Sequence, residues 1–128
     1  MRALDSSILL RYLTQDDSEQ TPSATAFVES LTADEPGYVS VPVLCQIVWS
    51  LRRVYNVSAA RIADVVRGLL AAQEIIVADE LAVGAALETE ADFVDALIHT
   101  LGRAAGCTAT VTFDRRFARL DGVELLTG

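Results

Sequence analysis

The chain has 128 residues, of which 52% are hydrophobic, and its formal net charge is −8. This length fits one compact domain with a sizeable core, and the acidic balance argues against broad binding of nucleic acid through a basic surface. The apolar runs are too short to cross a bilayer and the first five residues form no signal peptide, so we expect a soluble protein of the cytoplasm.

Strand and helix patterns alternate through the first half of the chain. In order, the sequence predicts a short strand before Asp5, a helix in "SSILLRYL", a polar loop or the start of a helix from Gln15 to Ser23, a helix in "SATAFVESL", a turn in "DEPG", a strand in "YVSVP" and a helix in "VLCQIVWSLRRVY".

The alternation continues to the end of the chain. Ser58 is predicted to cap the helix "SAARIADVVRGLLAA", and the remaining elements are a strand in "EIIVAD", a helix from Glu80 to Glu90, a helix from Asp92 to Ala105 that stops at Gly106, a strand in "TATVTF", a short helix in "DRRFARL" and a strand in "VELLT". This order predicts an α/β fold, a three-layer α/β/α sandwich with a central, mostly parallel sheet, built as one domain over residues 1–128.

Cysteine and histidine give little sign of metal or nucleophile chemistry. Cys45 and Cys107 lie in apolar contexts without a CxxC pair, so we expect buried free thiols rather than a disulfide or a zinc site. His99 is the one histidine, and a core position is favoured over a role in supporting a metal ligand. The chain has no Gly-rich phosphate loop, no GxSxG motif and no lysine.

Three aspartates stand where functional residues of a parallel sheet gather, beyond the carboxyl ends of the strands. Asp5 and Asp114 each follow a predicted strand, and Asp95 lies one turn into the helix that leads to the second of these strands. Each one alone is explained as a helix cap. Together they would repel one another unless protonated or neutralised by a cation, and carboxylate oxygens suit a divalent ion such as Mg²⁺.

Four segments of the chain, taken in order, resemble one known family. "RALDSSILLRYLTQDD", "VPVLCQIVWSLRRVY", "ADFVDALIHTLGRAAGC" and "TVTFDRRFARL" are similar to PIN-domain ribonucleases, above all to VapC-type toxins of bacterial type II toxin–antitoxin modules. The resemblance covers essentially the whole chain. It implies an endoribonuclease that depends on Mg²⁺ or Mn²⁺, an antitoxin protein that blocks the active site, and a homodimer.

The resemblance also implies roles for individual residues. By motif position Asp5, Asp95 and Asp114 are the catalytic metal ligands, and Asp92 is an accessory acidic residue that also serves as a helix cap. Ser7 stands where family members usually have asparagine, and its hydroxyl can still orient the Asp5 carboxylate.

Gln46 is the more serious departure, because this helix normally carries a glutamate at that position in the family. Three interpretations stay open: a natural site with fewer ligands, a weakened or inactive form, or a Glu→Gln change introduced to handle a toxic nuclease. The main rival to the nuclease hypothesis is therefore a PIN-like binding module that no longer cleaves. A phosphotransferase with Asp5 as nucleophile is more remote, since it would need a lysine.

Contacts with RNA and with protein partners are predicted at separate residues. Arg11, Arg115 and Arg116 are the preferred RNA-binding residues, with Arg52 and Arg53 as further candidates and simple solvation as the alternative for each. Some apolar residues of the N-terminal helices are expected at a homodimer or antitoxin interface, the others in the core; the candidates are Leu9, Tyr12, Leu13, Phe27, Val48, Trp49 and Leu51.

Overall fold

The computed structural model describes all 128 residues, which form two compact units, residues 1–78 and residues 79–128. The elements of the first unit, in chain order, are β1 (Arg2–Ala3), α1 (Ser6–Thr14), α2 (Gln20–Glu29), β2 (Gly37–Val39), α3 (Val41–Arg53), α4 (Ala59–Ala71) and β3 (Ile75–Val77). The three strands form a parallel sheet in the order β1–β2–β3, with Ala3 beside Tyr38 and Val39 beside Val77.

Side-chain caps set the starts of α3 and α4. The Ser40 side chain accepts a hydrogen bond from the Val43 N–H, so α3 begins at Val41, and Pro42 lies in the first turn, where a missing N–H costs nothing. Ser58 caps α4 in the same way through the N–H of Arg61, as the sequence predicts.

The core of the first unit follows helical spacing. Four apolar residues on one face of α3 are at most 3% exposed, namely Leu44, Ile47, Val48 and Leu51. They are joined by buried residues of α1, β2 and α4, which include Leu9, Val39, Ile62 and Val66. Burial of this many aliphatic side chains supplies the main driving force for folding of the unit.

The second unit contains α5 (Glu80–Leu87), α6 (Phe93–Ala104), β4 (Thr110–Thr112), a 3₁₀ helix (Phe117–Arg119) and β5 (Val123–Leu125). Strands β4 and β5 are parallel, with Thr110 beside Val123. Helix α5 packs along α6, and the Thr100 hydroxyl donates a hydrogen bond to the Ala82 carbonyl at 2.8 Å.

The predicted α/β class, its parallel pairing and the order of elements are confirmed. The strands are distributed over a three-stranded and a two-stranded sheet, whereas the sequence predicted one central sheet. The last two residues of "YVSVP", predicted as strand, begin α3, because Ser40 is the N-cap of that helix. The helix predicted in "DRRFARL" is only a 3₁₀ turn. None of the helices has the length and apolar character needed to span a membrane.

Burial of single residues departs from expectation at a few positions. Cys107 is exposed, so the prediction of a buried thiol is wrong there, whereas Cys45 is half-buried and burial raises the pKa of its thiol. Both cysteines are free. Among the interface candidates, Leu9, Val48 and Leu51 belong to the core, while Trp49 is 59% exposed.

The core position predicted for His99 is confirmed. Its side chain is 5% exposed, and its Nδ1 lies 2.7 Å from the Thr110 hydroxyl oxygen, which joins α6 to β4. Gly122 closes over the ring: a Cβ at this position would lie 3.1 Å from Cε1 and 3.2 Å from Nε2 of His99. Its φ of +84° is also a conformation that glycine adopts without cost.

Substitution of Gly122 by alanine is expected to lower the free energy of unfolding more than the same change at Gly106. Both glycines have positive φ, so each alanine carries a backbone strain of about 1–3 kcal/mol. A Cβ at Gly106 meets nothing within 4 Å, whereas one at Gly122 presses on His99 and should add about 1 kcal/mol or more. Urea unfolding of both variants measures the difference, and equal losses would contradict the close packing on His99.

Candidate active site

Asp5 comes directly after the first strand region and caps α1. Its Oδ2 accepts hydrogen bonds from the Ser7 hydroxyl at 2.6 Å and from the Ser7 N–H at 3.4 Å. The hydroxyl bond, helped by the backbone bond, lowers the pKa of the exposed Asp5 carboxyl from its usual value. Both bonds use the same oxygen, so Oδ1 is the atom that a further ligand could engage.

Asp5 and Ser40 occupy equivalent positions after neighbouring strands. Because β1 and β2 are parallel and in register, both caps stand at the carboxyl edge of the three-stranded sheet. Helix α3 leaves this edge and carries Gln46, which is exposed although its neighbours Ile47 and Val48 are buried. A role for Gln46 beside the carboxylates stays a prediction.

Arg11 is engaged within the first unit. Its Nε donates a hydrogen bond to Gln20 Oε1 at 2.8 Å, and its Nη1 lies 3.8 Å from Asp16 Oδ1. The guanidinium therefore ties α1 to the start of α2, and an RNA contact by this residue would have to compete with these bonds. That contact remains a prediction.

Asp92 is the N-cap of α6, as the sequence predicts. Its Oδ2 accepts a hydrogen bond from the Asp95 N–H at 3.2 Å. Asp95 is the third residue of the helix and half-buried, and its negative charge stands in the first turn, where the helix dipole stabilises it. The pair thus combines a cap with a carboxylate held in place by that cap.

Asp114 organises the turn that follows β4. Its Oδ1 accepts hydrogen bonds from the backbone N–H groups of Arg116 at 2.8 Å and Phe117 at 3.2 Å, and its own N–H donates to the Thr112 hydroxyl at 3.0 Å. As in Asp5, one carboxylate oxygen is fixed and the other, Oδ2, takes no part in these bonds. Arg115 and Arg116 are exposed beside it.

A cavity of about 270 Å³ lies between the start of α6 and the 3₁₀ helix, all within the second unit. It brings Asp92, Asp95 and Arg116 of the predicted site to one place, and its full lining is Glu90, Ala91, Asp92, Asp95, Arg116, Phe117, Arg119 and Leu120. Asp114 does not line it, yet holds the backbone of Arg116 and Phe117, which do.

Sequence reasoning missed Glu90 and Arg119 as members of this cavity. A signal for Arg119 was present, since it stands three residues after Arg116 and a 3₁₀ helix has three residues per turn, which places both on one side. Glu90 carried no signal, because nothing in its sequence context shows that the chain before α6 folds towards the 3₁₀ helix.

The donor set of the predicted site is of the kind that hard cations prefer, although in neither unit do three His, Cys, Asp or Glu side chains form a group that could hold a metal ion. Asp5 and Asp114 each present a carboxylate with one oxygen anchored and one available. This arrangement fits ligands that would each give a single oxygen to Mg²⁺ or Mn²⁺.

Comparison with known families places these residues in context. The model of the PIN domain family matches residues 2–123, which is nearly the whole chain and extends over both units. The chain belongs to the PIN domain family. PIN domains are generally nucleases, and they typically depend on divalent metal ions. No protein among the curated sequences matches the chain.

Replacement of Ser7 by alanine is expected to raise the pKa of Asp5 towards its ordinary value, because the hydroxyl bond is the largest cause of its lowering. A carboxyl whose pKa is lowered by folding stabilises the protein above its unfolded pKa, and this contribution disappears as the pH falls through the folded pKa. The stability difference between the two proteins should therefore be present near neutral pH and vanish in acid.

An NMR titration of the Asp5 carboxyl carbon measures this pKa directly. Ser6→Ala is the matched control, since the Ser6 side chain makes no bond to Asp5. An unchanged Asp5 pKa in Ser7→Ala would show that the hydroxyl does not orient this carboxylate.

Proposed function

We propose that this PIN domain is an endoribonuclease that depends on Mg²⁺ or Mn²⁺ and acts as the toxin of a toxin–antitoxin module in the cytoplasm. The observation that carries the proposal is the family match, which includes the positions of Asp5, Asp95 and Asp114. The anchoring of the Asp5 and Asp114 carboxylates by hydrogen bonds supports it, since ligands held in advance lose less freedom on binding a metal.

In this proposal Asp5, Asp95 and Asp114 hold the metal, and each has a distinct support. The Ser7 hydroxyl orients Asp5, the Asp92 cap fixes the backbone of Asp95, and the turn after β4 fixes Asp114. A bound divalent ion supplies an activated water and neutralises charge on the scissile phosphate. It also explains how a protein of net charge −8 could accept RNA, because the ion reverses the local charge.

Gln46 sets the charge of the proposed site. Three aspartates carry −3, and a glutamate at position 46 would bring the cluster to −4, enough to balance two divalent ions. A neutral amide attracts a hard cation more weakly and cannot act as a base, so we expect one ion to be weakly held without substrate. The same residue supports the second candidate function, a PIN-like binding module with little or no cleavage.

Protein partners form part of the proposal. Trp49 and Val54 lie on and just after α3 with 59% and 64% of their surface exposed, so burying them against another chain would remove apolar surface from water. We propose that this surface pairs in a homodimer, and that a cognate antitoxin covers the catalytic carboxylates.

The deciding experiment compares RNA cleavage by the wild type and by Asp5→Asn, Asp95→Asn and Asp114→Asn. Asparagine keeps an oxygen that can accept the capping hydrogen bonds, so the fold is preserved while the charge is lost. Each variant should lose about 100-fold or more in kcat/KM with Mg²⁺ or Mn²⁺, in line with the removal of one electrostatic group from an active site.

Asp64→Asn is the control, since Asp64 is an exposed residue of α4 that pairs only with Arg67. It should cleave like the wild type. Cleavage that is equal in wild type and Asp5→Asn would reveal a contaminating nuclease and refute the assignment.

Gln46→Glu is expected to tighten Mn²⁺ binding and to raise the rate of a single turnover, because it restores the fourth negative charge. Titration calorimetry and rapid-quench cleavage measure the two effects. Gln73→Glu adds the same charge at an exposed position outside the site and controls for net charge. If Gln46→Glu changes neither quantity, residue 46 lies outside the metal site.

A further inference from the structure

The cavity of the second unit contains two arginines that the protein itself does not use. Arg116 and Arg119 are both exposed, and neither guanidinium forms an ion pair or a hydrogen bond. Three acidic residues line the same cavity, Glu90, Asp92 and Asp95. Positive and negative side chains therefore share a small space, and the two guanidiniums keep all their donors available for an anion.

Hydrogen bonds fix the backbone that carries these arginines, so the positions of their Cα atoms are well defined. The Asp114 carboxylate holds the N–H groups of Arg116 and Phe117, and the Arg119 N–H bonds to the Arg116 carbonyl at 3.2 Å. Phe117, which is 6% exposed, anchors the 3₁₀ helix in the interior. Arg116 is the N-cap of the 3₁₀ helix and Arg119 is its last residue, so the two arginines are three residues apart and both line the cavity, where both can reach one phosphate.

The rest of the cavity lining has different chemistry. Glu90 is exposed and offers carboxylate oxygens, which accept hydrogen bonds and cannot donate them. Ala91, Phe117 and Leu120 supply the apolar part of the lining. A ligand that satisfies the whole cavity must combine an anion, a hydrogen-bond donor and an apolar or ring surface.

A ribonucleotide has these three features, in its phosphate, its 2′-hydroxyl and its base. An ionised acidic side chain brings the anion but no hydrogen-bond donor for Glu90, and deoxyribose lacks the 2′-hydroxyl that distinguishes RNA from DNA. The cavity volume of about 270 Å³ lies just below the usual range of ligand pockets, which suits one nucleotide rather than a folded element.

We propose that this cavity binds one ribonucleotide of the RNA chain next to the phosphate that is cut. Arg116 and Arg119 hold its phosphate, Glu90 accepts the hydrogen bond of its 2′-hydroxyl, and the apolar lining contacts its base or sugar. Asp95 lines the same cavity, so the bound nucleotide brings the adjacent phosphate to a proposed metal ligand. The inference rests on the proposed nuclease function and assigns its substrate contacts.

Binding of a short fluorescein-labelled single-stranded RNA, measured by anisotropy in EDTA to prevent metal-dependent cleavage, tests the phosphate contact. Arg119→Ala should weaken binding about tenfold, because a forked contact with phosphate is lost, and Arg119→Lys should recover only part of it. Arg67→Ala removes the same charge from an exposed position on α4 and should change binding less than twofold. Equal losses in Arg119→Ala and Arg67→Ala would overturn the proposal.

The sugar contact is tested by the ratio of RNA affinity to the affinity for DNA of the same sequence. Glu90→Ala should bring this ratio close to one, whereas Glu88→Ala, which removes an exposed carboxylate outside the cavity, should leave it unchanged. Loss of any negative charge should raise the affinity for RNA and DNA alike, and the ratio of the two affinities cancels this general effect. An unchanged ratio in Glu90→Ala would refute the assignment of the 2′-hydroxyl to Glu90.

A competition experiment identifies the ligand class. Adenosine 5′-monophosphate should displace the labelled RNA and shift the amide NMR signals of Asp95 and Phe117. Displacement by succinate but not by the nucleotide would overturn the proposal in favour of an acidic peptide. If Arg119→Ala leaves metal-dependent cleavage intact, the nucleotide-binding role of the cavity is refuted and the nuclease function stands. If RNA binding needs Arg119 but the protein cleaves no RNA, the binding role stands and the nuclease function is refuted.

Discussion

The first N–H groups of a helix have no partner within the helix, and in α1, α3, α4 and α6 some of them are satisfied by short polar side chains placed where strands or loops end. Asp5 and Ser40 do so at the carboxyl edge of the three-stranded sheet, and Asp92 does so at the start of α6. Asp114 serves the turn after β4 by the same bond. Because the caps formed by Asp5, Asp92 and Asp114 each fix a carboxylate or its neighbour, the need of the backbone for hydrogen-bond acceptors also orients the proposed catalytic groups.

These aspartates can therefore be helix or turn caps and proposed metal ligands at the same time. In Asp5 and Asp114 one carboxylate oxygen meets the needs of the backbone or of a nearby hydroxyl, and the other remains for a cation. Asp92 and Asp95 divide the two tasks between two residues, one as cap and one as the proposed ligand. A substitution by alanine would disturb fold and chemistry together, which is why asparagine is the informative change.

Charge is the second constraint on function. A chain with 18 acidic and 10 basic residues can approach RNA only where positive charge is concentrated. In the proposals above a bound metal ion supplies that charge, together with the guanidiniums of Arg116 and Arg119, which have no internal partners and share their cavity with three carboxylates. His99 supports the same region from within, because its contact with Thr110 holds α6, which carries Asp95, against β4, which leads to Asp114. With Gln46 the proposed site has one negative charge fewer than two divalent ions would need. The strength of metal binding therefore distinguishes a nuclease from a binding module.

The sequence by itself determined the kind and order of the elements and the caps at Ser58 and Asp92, because periodicity, capping and glycine chemistry act within a few residues of the chain. The start of α2 at Gln20, with Pro22 in its first turn, lay inside a stretch predicted as a polar loop or the start of a helix. Only the tertiary structure decided the exposure of Cys107 and Trp49, the closure of Gly122 over His99, and the meeting of Glu90 with Arg119. These features depend on contacts between residues distant in the chain, and local patterns carry no information about which distant surfaces will pack together.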